Sequence, residues 1–211
     1  MTAITGRPRR SQAERREATR TALLDATIDS LVKYGYANLT TEAIVRRAGV
    51  TRGAHAHYFS SKADLMVQAL DRLTAKIRTE AEKSLKPLTG DTTEEYEELV
   101  DRLWDIHRGP LFTAALELHV AGRTDKDLRV HLRRFDRELA GHLTVLALRY
   151  VPKLVVVPGF DKLFFTAMAT MRGVALLGFT ASEKTVEGMW RDARAELLRM
   201  GLIELGDPLR P

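Results

Sequence analysis

Between Thr40 and Lys62 the chain sets two helix caps, a glycine stop and a third cap so close together that only short, paired helices fit. Thr40 can accept from a free backbone N–H at the head of a helix through Ala48, and Glu42 puts negative charge in its first turn. Gly49 stops that helix, because glycine takes a left-handed backbone without a Cβ clash, and Val50 follows as an apolar anchor. Thr51 opens a second helix to about Phe59, and Ser61-Lys62-Ala63-Asp64 is a cap sequence for another. Two helices joined by a short glycine-containing turn make a helix-turn-helix, whose second helix enters the DNA major groove.

The wheel of the second helix suits that use. His55 and Phe59 are four apart on one face, while Gly53, Ala54, Ala56 and His57 lie on the other. A face nearly free of bulk can approach base edges closely, with Arg52 and His57 as donors at its margins. A surface hairpin of two solvated helices is the alternative, and the flanking segments weigh against it.

At these residues the chain resembles the tetracycline-repressor (TetR) family of bacterial transcription regulators. The resemblance runs from about Arg16 to Leu73, and its most specific part is AGVTRGAHAHYFSSKADL, with Gly49, Gly53, Phe59, Lys62 and Leu65 at the family's positions. It implies phosphate contacts by Thr40, Tyr58 and Lys62, and recognition-helix contacts by Thr51, Arg52, Gly53, Ala54, Ala56 and His57. It also implies a homodimer formed through the last helices and a small-molecule effector entering the C-terminal domain. Departures at His55, Ala56 and Tyr58 bear on the operator sequence.

Charge is placed where phosphate binding needs it. Residues 1–65 hold eleven Lys/Arg against six Asp/Glu, whereas the remainder holds twenty-two of each. All of the net charge of +5 therefore sits on the helix-turn-helix end. A solvated basic face would have the same composition. With no cysteine, disulfides, thiolate nucleophiles and Cys-type metal sites are excluded.

Taken in order, residues 1–15 are expected to form a flexible basic arm, in which Arg7, Arg9 and Arg10 either enter a minor groove or belong to a disordered tail. Leu24, Ile28 and Leu31 predict a helix from about Arg16 to Tyr34, packed across the helix-turn-helix with Ile44, Val45 and Phe59 in its core. Tyr34 and Tyr36 read as packing residues. Met66, Leu70, Leu73 and Ile77 predict a connector helix from Lys62 to about residue 85, ended by Pro87 and Gly90 in KPLTGDTT. Further helices are expected from Thr92 or Thr93 to His107, from Pro110 to about Ala121, and from Asp125 to about Val151, where Pro152 ends the stripe. Val155, Val156 and Val157 read as a loop. Phe160 to Ala181 is interrupted by Asp161, Lys162 and Arg172, which argues against a membrane span. Its small residues Ala167, Ala169, Gly173, Ala175 and Gly178, with an amphipathic helix from Glu183 to Met200, suit a four-helix dimer interface, a monomer core helix being the alternative.

The sequence carries no nucleophile elbow, phosphate loop, dinucleotide glycine pattern or two-His helical metal pair, so no enzyme, cofactor or metal is expected. Trp104, Phe112, Phe135, Met168 and Met171 either line a pocket between the C-terminal helices or are ordinary core, and His107 and Glu117 could meet across two helices. The sequence thus predicts an all-α protein. Its parts are a three-helix DNA-binding domain over 16–65, continued by the connector, and a helical ligand-binding and dimerisation domain over 66–211. The expected role is a cytoplasmic homodimeric regulator, a repressor released from double-stranded DNA by a small apolar or amphipathic effector, with no membrane association. A DNA-binding protein without an inducer, or a helical enzyme or carrier with a basic surface, are the alternatives.

Overall fold

A computed structural model of the chain describes residues 11–84 and 93–204. Arg7, Arg9 and Arg10 of the expected arm, and the expected breaker with Pro87, Gly90 and Thr92, lie outside the described residues. The described residues form helices without a strand: α1 (Gln12–Tyr34), α2 (Thr41–Ala48), α3 (Arg52–Tyr58), α4 (Lys62–Ser84), α5 (Thr93–His107), α6 (Pro110–Gly122), α7 (Lys126–Tyr150), α8 (Pro152–Val155), α9 (Phe160–Leu177) and α10 (Glu183–Glu204). None of these helices is long and apolar enough to cross a membrane.

The caps explain most boundaries. The Thr40 hydroxyl accepts from the Ala43 N–H at 3.2 Å, Thr51 from Ala54 at 3.2 Å, Ser61 from Asp64 at 3.0 Å, and the Asp125 carboxylate from Leu128 at 2.9 Å. Gly49 takes the left-handed conformation, φ 68°, that lets the chain turn from α2 into α3. Two expectations need correction. Residues 12–15 are helix rather than arm, because Ser11 and Glu14 form a reciprocal capping box: Ser11 Oγ accepts from the Glu14 N–H at 3.1 Å, and Glu14 Oε2 accepts from the Ser11 N–H at 2.7 Å. Pro152 does more than end α7. It supplies the first residue of α8, which takes in Val155 and leaves the exposed Val156 outside.

Two apolar cores lie under these helices. The first joins Leu23, Ile28 and Leu31 of α1, Ile44 and Val45 of α2, Phe59, and Leu65 to Ile77 of α4. Into the same core come Ala114, Ala115 and Leu118 of α6 and Leu128, Leu132, Phe135 and Leu139 of α7. The second core holds α5, the end of α7, α8, α9 and α10, with Met171 and Leu197 at its centre. Packing therefore does not break at residue 65: α1 runs against α6, and α4 against α7. The buried hydroxyls of Thr27, Ser30 and Thr74 donate to carbonyls one turn back, so these three side chains bring no unmet donor into the first core.

Candidate nucleic-acid interface

The second helix of the pair owes its placement to one side only. Phe59, buried at its C-terminal end, and the His55 ring 5.5 Å away fasten α3 to the first core. His55 Nε2 is buried without a partner, and desolvation holds the imidazole below its usual pKa, so the ring sits there neutral. On the other side Thr51, Arg52, Gly53, Ala56 and His57 are exposed, while Ala54 and Tyr58 are half-buried. A Cβ added to Gly53 would meet only Thr51 Oγ1, at 3.9 Å. Nothing inside the protein requires glycine there, so the smallness of that face is available to an outside surface.

Around α3 the basic groups are arranged in two ways. Arg52 is exposed and makes no hydrogen bond or ion pair among the described residues. His57 Nε2 lies 2.8 Å from Arg16 Nη2, so this ring accepts from the guanidinium and joins α3 to α1. Lys62 stands at the N-terminus of α4 with its ammonium 4.6 Å from the centre of the Tyr36 ring. The exposed Thr40 keeps its hydroxyl proton free while its oxygen caps α2. Sequence reasoning missed Arg16 and Tyr36. Tyr36 does more than pack: its N–H donates to Glu117 at 3.1 Å, and its hydroxyl to Asp125 at 3.0 Å. Burial and that carboxylate push the phenol up to about 12. The SQAE run at Ser11 was the legible signal that α1 begins early enough to carry Arg16 beside α3.

The family model of bacterial regulatory proteins of the tetR family matches residues 23–69, from the middle of α1 into α4. The N-terminal domain is a TetR-family domain. An uncharacterized HTH-type transcriptional regulator of Mycobacterium tuberculosis is 32% identical over 124 residues, which are 59% of this chain and 63% of that relative. The chain thus matches less than two thirds of that relative's length. The likeness in fold runs further. Salmonella enterica GusR superposes with a TM-score of 0.62 at 16% identity, covering 89% of this chain and 95% of that one. A TetR family transcription regulator from Marinobacter aquaeolei VT8 gives 0.55 at 17% identity, covering 87% and 97%. The described residues therefore share the fold of these structures, helix-turn-helix first and helical domain second.

Among the described residues the second part holds several cavities, and the expected pocket residues divide among several places. Trp104 and His107 line a cavity of about 390 Å³ between α5, α6, α9 and α10. Met168 lines a larger one of about 550 Å³ between α7 and α9, walled by Leu139, Leu143, Phe160 and Phe164 with Asp136 and Arg172 at its edge. Phe112 packs on the His107 ring at 4.2 Å, and Met171 is wholly buried in the second core. Glu117 and Phe135 are corrections. Glu117 faces the recognition end and accepts from Tyr36, so it does not meet His107, and Phe135 is buried in the first core. Both lie on the helix face turned toward α1 and α4, which a stripe of apolar residues cannot distinguish from a face turned toward a cavity. Among the described residues no cluster of His, Asp and Glu is arranged to hold a metal ion.

Proposed function

We propose that the protein is a cytoplasmic, homodimeric transcription regulator that binds an operator through α3 and leaves it when a small apolar or amphipathic molecule occupies the second domain. The carrying observation is the outer face of α3: small, exposed, and flanked by the unpaired Arg52 and by Lys62 at the head of α4. Arg52 reads base edges, with Thr51, Gly53, Ala54, Ala56 and His57 fitting the groove. Thr40, Tyr58 and Lys62 hold phosphates, Lys62 with the help of the free N–H groups of α4.

Dimerisation is supported by an uncovered apolar face. Phe165 is 69% exposed, and Ala169, Gly173 and Leu176 continue its line along α9, with Met189 exposed on the adjacent α10. A Cβ on Gly173 would meet nothing inside the protomer, so the space there is left for a second helix. A two-fold pair built on this face presents two α3 helices, which must sit about 34–36 Å apart to enter successive major grooves. The two cavities support effector release, because a ligand that fits one dimer geometry better than the other shifts the balance between them.

The test is binding to the DNA upstream of the protein's own gene against a scrambled duplex, across a range of salt. A preference of about a thousandfold or more marks a specific operator. Equal binding to all duplexes, including those selected from random pools, would exclude sequence-specific regulation.

A further inference from the structure

The cavity between α5, α6, α9 and α10 combines aromatic and acidic walls. Trp104 and Trp190 stack at 4.4 Å with planes 10° apart, and Phe179 adds a third aromatic side chain. Glu183 and Glu187, one turn apart on α10, line it too and make no ion pair among the described residues. Arg108 also lines it, and Asp105 holds that guanidinium at 2.8 Å.

His107 sets the polarity of the inner wall. Its Nδ1 lies 2.6 Å from the Leu103 carbonyl, which only accepts, so the proton is on Nδ1 and Nε2 carries a lone pair. The side chain is 4% exposed, and Nε2 has no hydrogen-bond partner. Burial pushes this imidazole down to about 4, so it stays neutral near pH 7. A buried acceptor left open costs free energy that an incoming N–H or O–H recovers. Aromatic faces, an open acceptor and two unmatched carboxylates all favour a positive guest. An anion would meet the two carboxylates, with Arg108 taken by Asp105; Arg172, whose charge reaches His107, lies over the Phe112 ring and lines the other cavity.

We propose that this cavity binds an aromatic organic cation, its N–H donated to His107 Nε2 and its charge held by Glu183 and Glu187. The cavity volume suits a molecule of one or two rings. The proposal deepens the effector reading above by giving the effector a chemical class, and it rests on that reading for its regulatory consequence.

The chain's two tryptophans are both in this wall, so emission excited near their red edge reports this cavity alone. The probes are 4-phenylbutylammonium, 4-phenylbutanol and 4-phenylbutyrate, alike in shape and different in charge. The full-length protein is expected to bind the ammonium about tenfold or more tightly than the alcohol, and the carboxylate weakest. The exposed double substitution Glu183→Gln with Glu187→Gln should erase the preference for ammonium, while its helical circular dichroism stays unchanged. His107→Phe should weaken the ammonium and the alcohol alike. Equal affinities, a preference for the carboxylate, or no response to the ammonium would overturn the proposal. Operator release separates the two readings. Ammonium bound without loss of DNA affinity would defeat the effector reading and leave the site, whereas no tryptophan response to the ammonium, together with release by other compounds, would defeat the site and leave the effector reading.

Discussion

The Tyr36 hydroxyl donates to the Asp125 carboxylate at 3.0 Å, and the same carboxylate accepts from the Leu128 N–H at the start of α7. One acidic cap thus ties the loop after α1 to the helix that runs from the first core into the second. Tyr36→Phe keeps the ring under Lys62 and removes only this bond. It should cost about 1 kcal/mol in urea unfolding. It should also reduce the change in operator affinity caused by an effector, measured by titration with and without the ligand.

Arg52→Ala should leave stability within about 0.5 kcal/mol, because the side chain has no partner inside the protein. In competition binding it should abolish preference for one base pair of the operator. Lys62→Ala should instead weaken all duplexes together and lower the salt slope by about 1. Unchanged discrimination in the Arg52 variant would refute the assignment of base reading to this residue.

Gly53→Ala separates the needs of the fold from those of the groove. The new methyl has room within the protein, and α3 should gain roughly 0.5 kcal/mol from the better helix former. Operator affinity should nonetheless fall. A variant both more stable and equally tight would mean that α3 does not lie close against DNA at this position.

Two histidines give stability opposite slopes in different pH windows. His107 is depressed to about 4 by burial, so the unfolded chain binds its proton first. Stability should therefore fall as pH drops from about 6.5 toward 4, by at most about 1.4 kcal/mol per pH unit, and His107→Phe should flatten that limb. His119 is raised, first by its bond to Asp136 at 2.8 Å. Its contribution is complete below about 6.5 and disappears as pH rises through the raised value. Comparison with His119→Gln by denaturation across pH 5 to 9 checks the second sign.

Gly201 lies against Tyr96, and a Cβ there would overlap the Tyr96 ring. The Tyr96 hydroxyl donates to the Leu197 carbonyl at 3.1 Å, and Arg194 bridges Asp101 and Glu97 on the same α5 face. Gly201→Ala should force α5 and α10 apart at a cost of about 1–3 kcal/mol, readable as a lowered urea midpoint.

Boundaries were legible in the sequence where a cap or stop is a single residue's chemistry. Thr40, Gly49, Thr51, Pro110 and Asp125 each act on the backbone within one turn, so their effect can be read without knowing the fold. Neighbours across the molecule were not legible in the same way. Glu117 and Phe135 sit on helices whose apolar stripes announce burial but not the partner that buries them. Trp104 and His107 fell on a cavity wall, whereas Met171, chosen for the same reasons, is wholly enclosed. The difference depends on how α9 and α10 lean, which no periodicity encodes.

The first core crosses from the recognition helices into α6 and the first half of α7. A fragment cut after Ser84 would bare the flanks of α1 and α4 that Leu118, Leu132 and Phe135 cover, and so would be an unfinished globule. The helix-turn-helix end is therefore no cassette to be moved between proteins. A graft that keeps its specificity must carry α6 and the α7 segment through Leu139 along with it.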